Sequence, residues 1–87
     1  MAYFLVSYDL IKRKDYPEIK EALTDLGAVK CLLSQWLVES LCSAEDMLAH
    51  LRPHIDSDDR LMVVEFDKRP AFTPCLKGTR AWIDARF

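Results

Sequence analysis

Eighty-seven residues, about 10 kDa, make one domain's worth of chain, near the size at which a single hydrophobic core holds without disulfides or metals, and leave no room for a multidomain enzyme. Hydrophobic residues make up 51% and charged residues 30%, with two glycines and four prolines, which excludes disorder and low complexity. The net charge of −2 is unevenly divided: residues 1–67 are acidic, whereas residues 68–87 set Lys68, Arg69, Lys77, Arg80 and Arg86 against Asp84 alone, a cationic tail on a body too acidic for a nucleic-acid coat protein.

Ala2 to Asp9 is short, apolar and rich in aromatic and branched residues on both parities, and reads as a strand buried on both faces. Three basic residues, Lys12, Arg13 and Lys14, occupy the loop that follows. Asp15 and Glu18 then have capping-box spacing, Pro17 suits a first turn, and Ile19, Ala22, Leu23 and Leu26 form one apolar stripe ending at Gly27. A helix over 16–26 is predicted. Ala28–Leu33 and Gln35–Ser40 read as adjacent antiparallel strands with a tight connection at Ser34. Ser43 and Asp46 repeat the capping pattern, and Ala44, Met47, Leu48 and Leu51 give a second helical stripe that Pro53 stops. Asp56 to Asp59 is a turn cluster, and Leu61–Phe66 is a last apolar strand.

The order strand, helix, strand, strand, helix, strand predicts an α+β fold of the ferredoxin-like kind, β-α-β-β-α-β, with a four-stranded antiparallel sheet and two helices on one face. The expected division is a domain over 1–67 and a less regular C-terminal tail over 68–87. Phe72, Trp82, Ile83 and Phe87 are costly to leave in water, so the tail is expected to dock on its own sheet or on a partner. The first and last strands are apolar on both parities, and two helices cover one face only. A homodimer through the open face or the tail answers that; a monomer whose tail covers its own sheet is the other solution. No apolar run approaches the eighteen or so residues of a membrane span, and no secretory leader is evident, so no membrane partner and a cytoplasmic location are expected. Cys31, Cys42 and Cys75 contain no C-x-x-C pair and are expected to be free and packed as small apolar side chains.

Asp9 is the sharpest chemical feature. A carboxylate directly after a buried strand, beside the Lys12-Arg13-Lys14 loop, suits a hard cation while the neighbouring cations gather phosphates. The same residue could instead cap the turn. Two copies facing each other across a two-fold axis would supply the one or two carboxylates that magnesium accepts alongside water. His50 and His54 have the four-residue spacing of a metal pair, but no third ligand is evident, and they read as a solvated helix end. Asp56, Asp58 and Asp59 lack the glycine and closing glutamate of a calcium loop. Ser34 has no His or Asp at nucleophile spacing, no phosphate-binding glycine loop is present, and Trp36 reads as core or interface.

The opening Tyr3-Phe4-Leu5-Val6-Ser7-Tyr8-Asp9-Leu10, then Asp15-Tyr16, Leu33-Ser34-Gln35-Trp36-Leu37-Val38, and Leu51-Arg52-Pro53-His54-Ile55-Asp56 with Asp59 and the strand Leu61–Phe66, resembles the SinR-like group of small bacterial proteins, distant relatives of the CRISPR-associated protein 2 family. The resemblance spans about residues 2–66. It implies a ferredoxin-like homodimer, in some members a nuclease on RNA or DNA that depends on Mg2+ or Mn2+, with the aspartate ending the first strand as metal ligand. Asp9 matches that position, Ser7 and Tyr8 flank it as in the motif, and Ser34 belongs to the Ser-x-Trp block, where Gln35 replaces the more usual threonine. Other members are non-catalytic dimeric scaffolds for DNA, and relatives include toxin and antitoxin components. The expected function is therefore a metal-dependent nuclease with Asp9 as catalytic metal ligand and Ser7, Tyr8, Lys12, Arg13, Lys14 and Ser34 at the nucleic acid. The alternative is a silent dimeric scaffold for nucleic acid or for a protein partner in a defence or toxin-antitoxin system. A small-molecule regulatory domain of the same fold would need a glycine-rich ligand loop, which is missing.

Overall fold

The computed structural model describes residues 1–11 and 17–87. The architecture is α+β: a four-stranded antiparallel sheet and, among the described residues, three α-helices. In chain order they are β1 (Ala2–Asp9), α1 (Pro17–Asp25), β2 (Val29–Leu32), β3 (Gln35–Ser40), α2 (Ala44–Leu51), β4 (Arg60–Phe66) and α3 (Thr79–Arg86), with a short 3₁₀ turn over Arg52–His54. The sheet order is β2-β3-β1-β4, which makes the first strand a central one. Its register runs from Ala2 opposite Ser40 to Ser7 opposite Gln35 on one side, and from Tyr3 opposite Phe66 to Asp9 opposite Arg60 on the other.

The helix ends follow from local chemistry. At the end of α1 the Ala28 amide donates to the Leu23 carbonyl at 3.0 Å and the Gly27 amide to Thr24 at 2.9 Å, the paired bonds of a Schellman stop. Gly27 takes a φ of 75°, and no neighbouring atom lies within 4 Å of the place a Cβ would fill, so backbone angle rather than space selects glycine. At the start of α2 the Ser43 side chain accepts from the Asp46 amide at 3.1 Å. Pro53 does stop the α-helix, but the chain continues into the 3₁₀ turn, where a proline in the first positions removes no needed donor. The capping box expected from Asp15 lies outside the described residues, as do Lys12, Arg13 and Lys14.

Alternation along β1 divides the interior in two. Phe4, Val6 and Tyr8 join Trp36 and Val38 of β3 against Ile19, Ala22 and Leu23 of α1 and Met47 and Leu51 of α2. On the opposite face Cys31, Leu37, Trp82 and Ile83 are buried together, with Tyr3, Leu5, Val29, Phe66 and Phe72 packed around them. The second cluster depends on α3, a helix the sequence reading leaves as irregular tail. Its buried residues, Thr79, Trp82 and Ile83, do have helical spacing, but the stripe opens on a threonine and carries only two apolar side chains. Arg86 fixes the helix to the sheet: its Nε donates to Glu39 Oε1 at 2.9 Å and its guanidinium lies 4.2 Å from the Trp82 ring centroid.

The second face is only partly covered. Met62 and Val64 of β4 share it with Tyr3, Leu5 and Ser7 and remain 65% and 46% exposed. No helix among the described residues is long and apolar enough to cross a membrane.

Candidate functional site

Asp9 is the last residue of β1, with its side chain 68% exposed. Its neighbour across the ladder is Arg60, the first residue of β4, whose Nη1 donates to Asp9 Oδ2 at 3.1 Å. On that side Ser7, Tyr8, Asp9, Arg60, Leu61 and Met62 line a shallow cleft of about 230 Å³. A second cleft, about 370 Å³, opens beside Asp9 toward α1 and β2 and is lined by Tyr8, Leu10, Lys20, Lys30, Leu33 and Ser34 as well. The carboxylate thus stands between clefts that both contain cations: Arg60 in one, Lys20 and Lys30 in the other.

Tyr8 and Ser34 meet there for structural reasons. The Tyr8 ring is buried and its hydroxyl accepts from Trp36 Nε1 at 3.1 Å, which settles Trp36 in the core as expected. The Tyr8 amide donates to the Ser34 carbonyl at 3.1 Å, holding the β2–β3 turn against the end of β1. Ser34 itself is exposed, and Ser7 is half-buried one pleat before Asp9. Of the residues the sequence places at the site, Ser7, Tyr8, Asp9 and Ser34 therefore come together.

Lys20, Lys30 and Arg60 line the clefts beside Asp9 and are absent from the residues the sequence places there. They lie in three separate elements, and only pairing and topology bring them to one end of the sheet. A signal for Arg60 was present: a basic residue opening a strand antiparallel to β1 should oppose the acidic residue that closes it.

Asp59 has a different task. Its Oδ1 accepts from the Ile11 amide at 2.7 Å and its Oδ2 from the Asp56 amide at 2.9 Å, so it fastens the turn to the chain leaving β1. His50 and His54 lie with ring centroids 6.1 Å apart. Among the described residues no group of three His, Cys, Asp or Glu side chains is placed to hold a metal ion. A cation at Asp9 would have one carboxylate and water from a single chain, the lower limit of what magnesium accepts, and the exposed carboxylate fits that limit.

The cysteines are free. Burial pushes the Cys31 thiol up, with a further push from Cys75 nearby, which keeps it protonated and a poor nucleophile. No protein-family model matches the sequence.

Proposed function

We propose that the chain is a ferredoxin-like nucleic-acid-processing protein that works as a homodimer, cleaving phosphodiester bonds of RNA or DNA in the cytoplasm with Mg2+ or Mn2+ held by Asp9. The β2-β3-β1-β4 order, with α1 and α2 packed on the same sheet face, supports the fold assignment. One observation carries the function: an exposed carboxylate at the end of the central strand, with Arg60 on one side and Lys20 and Lys30 on the other. Cations in that arrangement suit a polyanion crossing the sheet end. The uncovered Met62 and Val64 lie on the same face as Asp9, so a second copy seated there would bring two Asp9 carboxylates near one axis.

In this reading Asp9 binds the cation, and Lys20, Lys30 and Ser34 hold the sugar-phosphate chain, together with Lys12, Arg13 and Lys14, which follow β1 in the sequence. Ser7 and Tyr8 position Asp9: Ser7 through the strand ladder, Tyr8 through its hydrogen bond with Trp36. The bound cation supplies charge stabilisation at the phosphate and a more acidic water.

A second reading, a dimeric scaffold for nucleic acid or a protein partner in a defence or toxin-antitoxin system, is favoured by the Arg60 ion pair, which gives Asp9 a structural occupation. Tail cations would contribute less affinity than the sequence suggests, because Arg69 is paired with Asp84 at 2.6 Å and Arg86 with Glu39. Labelled RNA and DNA should be incubated with wild type and Asp9→Asn, purified identically, with Mg2+, Mn2+ or a chelator. The nuclease reading expects metal-dependent cutting that falls at least about 100-fold in the mutant, the scale on which removal of one electrostatic catalytic group is felt. Equal cutting, or none, with salt-sensitive binding retained leaves the scaffold.

A further inference from the structure

Arg60 and Asp9 close the β1–β4 ladder as its last facing pair. Seven consecutive residue pairs fix that register, and a one-residue slip that separated the guanidinium from the carboxylate would turn every β4 side chain to the other face. Asp59, one residue earlier, reinforces the juxtaposition by bonding the Ile11 amide, two residues past Asp9. The dipeptide Asp59-Arg60 therefore grips both ends of the short segment Asp9–Ile11. One grip holds backbone and the other holds the side chain at the centre of the site.

The two grips differ in strength. Asp59 uses both carboxylate oxygens on backbone amides, whereas the Arg60 contact runs from one guanidinium nitrogen to one carboxylate oxygen between groups 73% and 68% exposed. A solvated, one-pronged pair is a weak competitor that a small divalent ion can displace. We infer that Arg60 is the built-in counterion of Asp9: guanidinium and divalent cation compete for the same carboxylate, and cation entry releases Arg60 toward the phosphate that arrives with the substrate. This rests on the reading of Asp9 as a cation ligand. It adds that metal occupancy and phosphate contact at this end of the sheet are coupled through one arginine.

The test uses Mn2+ alone as probe, titrated by water-proton relaxation against wild type, Arg60→Gln, Arg60→Lys and Asp9→Asn at low salt. Arg60→Gln should bind Mn2+ about two- to five-fold more tightly than wild type, the range expected for removing an exposed counterion. Arg60→Lys should stay close to wild type, and the gap should narrow as salt is raised. A second measurement follows binding of a single-stranded oligonucleotide with and without Mn2+: the gain on adding the ion should be smaller in Arg60→Gln. Mn2+ binding that requires Asp9 but is unchanged or weaker in Arg60→Gln overturns the counterion role and leaves the metal reading standing. Mn2+ binding absent from wild type, or undiminished in Asp9→Asn, overturns the metal reading and the counterion role with it.

Discussion

The two faces of the sheet are built from alternate residues of the same strands, yet they are finished differently. The face carrying Phe4, Val6, Tyr8, Trp36 and Val38 is closed by α1 and α2, and each of these five side chains is buried. The face carrying Tyr3, Leu5 and Leu37 is closed by α3 and Phe72 only toward the start of β1, while the half near Asp9 leaves Met62 and Val64 in solvent. Aromatic contacts mark where the cover stops: Tyr3 lies 5.8 Å from Trp82 and 5.0 Å from Phe87, centroid to centroid, and Phe66 lies 6.0 Å from Phe87. Covering a face stabilises the chain, and leaving its far half open keeps the end that carries Asp9 accessible. Stability and access thus occupy opposite ends of one surface.

The sharpest way to break the comparison is to cut into each face in turn. Phe4→Ala removes a fully buried ring from the closed face and should cost about 3–5 kcal/mol in urea unfolding, a large share of the total stability of a domain of this size. Ile83→Ala empties the α3 side, where burial is equally complete but the cluster is smaller; a loss of about 2–3 kcal/mol with the fold retained is expected from the same titration. A loss under about 0.5 kcal/mol, typical of a surface substitution, would mean that α3 rests on the sheet without supporting it. Met62→Lys, on the open half, should change monomer stability by less than about 0.5 kcal/mol. Sedimentation should nevertheless show it shifting the chain toward monomer, if that half is where a second copy sits. Dimer unaffected by Met62→Lys would move the interface elsewhere.

Much of the closed face is legible in the sequence because its determinants are local. The bounds of β1 follow from a run of branched and aromatic residues, and those of α2 from Ser43 and the stripe ending at Leu51. Gly27 marks the stop after α1 by a conformation that few other residues share. The open face is harder to read. Thr79 belongs to a buried stripe although its hydroxyl disguises it; that hydroxyl donates to the Leu76 carbonyl at 2.7 Å, which is why burial is tolerated. The site is legible only at its centre. Asp9 announces itself by closing an apolar strand and Arg60 by opening the strand that opposes it, whereas Lys20 of α1 and Lys30 of β2 come to the cleft beside Asp9 only through the tertiary fold.

The central place of β1 bears on how the protein is made. Of the four strands, the ribosome delivers β1 before either of its sheet neighbours. One neighbour arrives with Gln35–Ser40 and the other only with Arg60–Phe66, so the pair that closes the ladder spans 51 positions. Until then an aromatic, two-faced apolar segment is exposed to other nascent chains. The sheet is therefore expected to close only once Arg60–Phe66 has been translated, and a chain truncated before residue 60 is expected to aggregate rather than persist as a smaller domain.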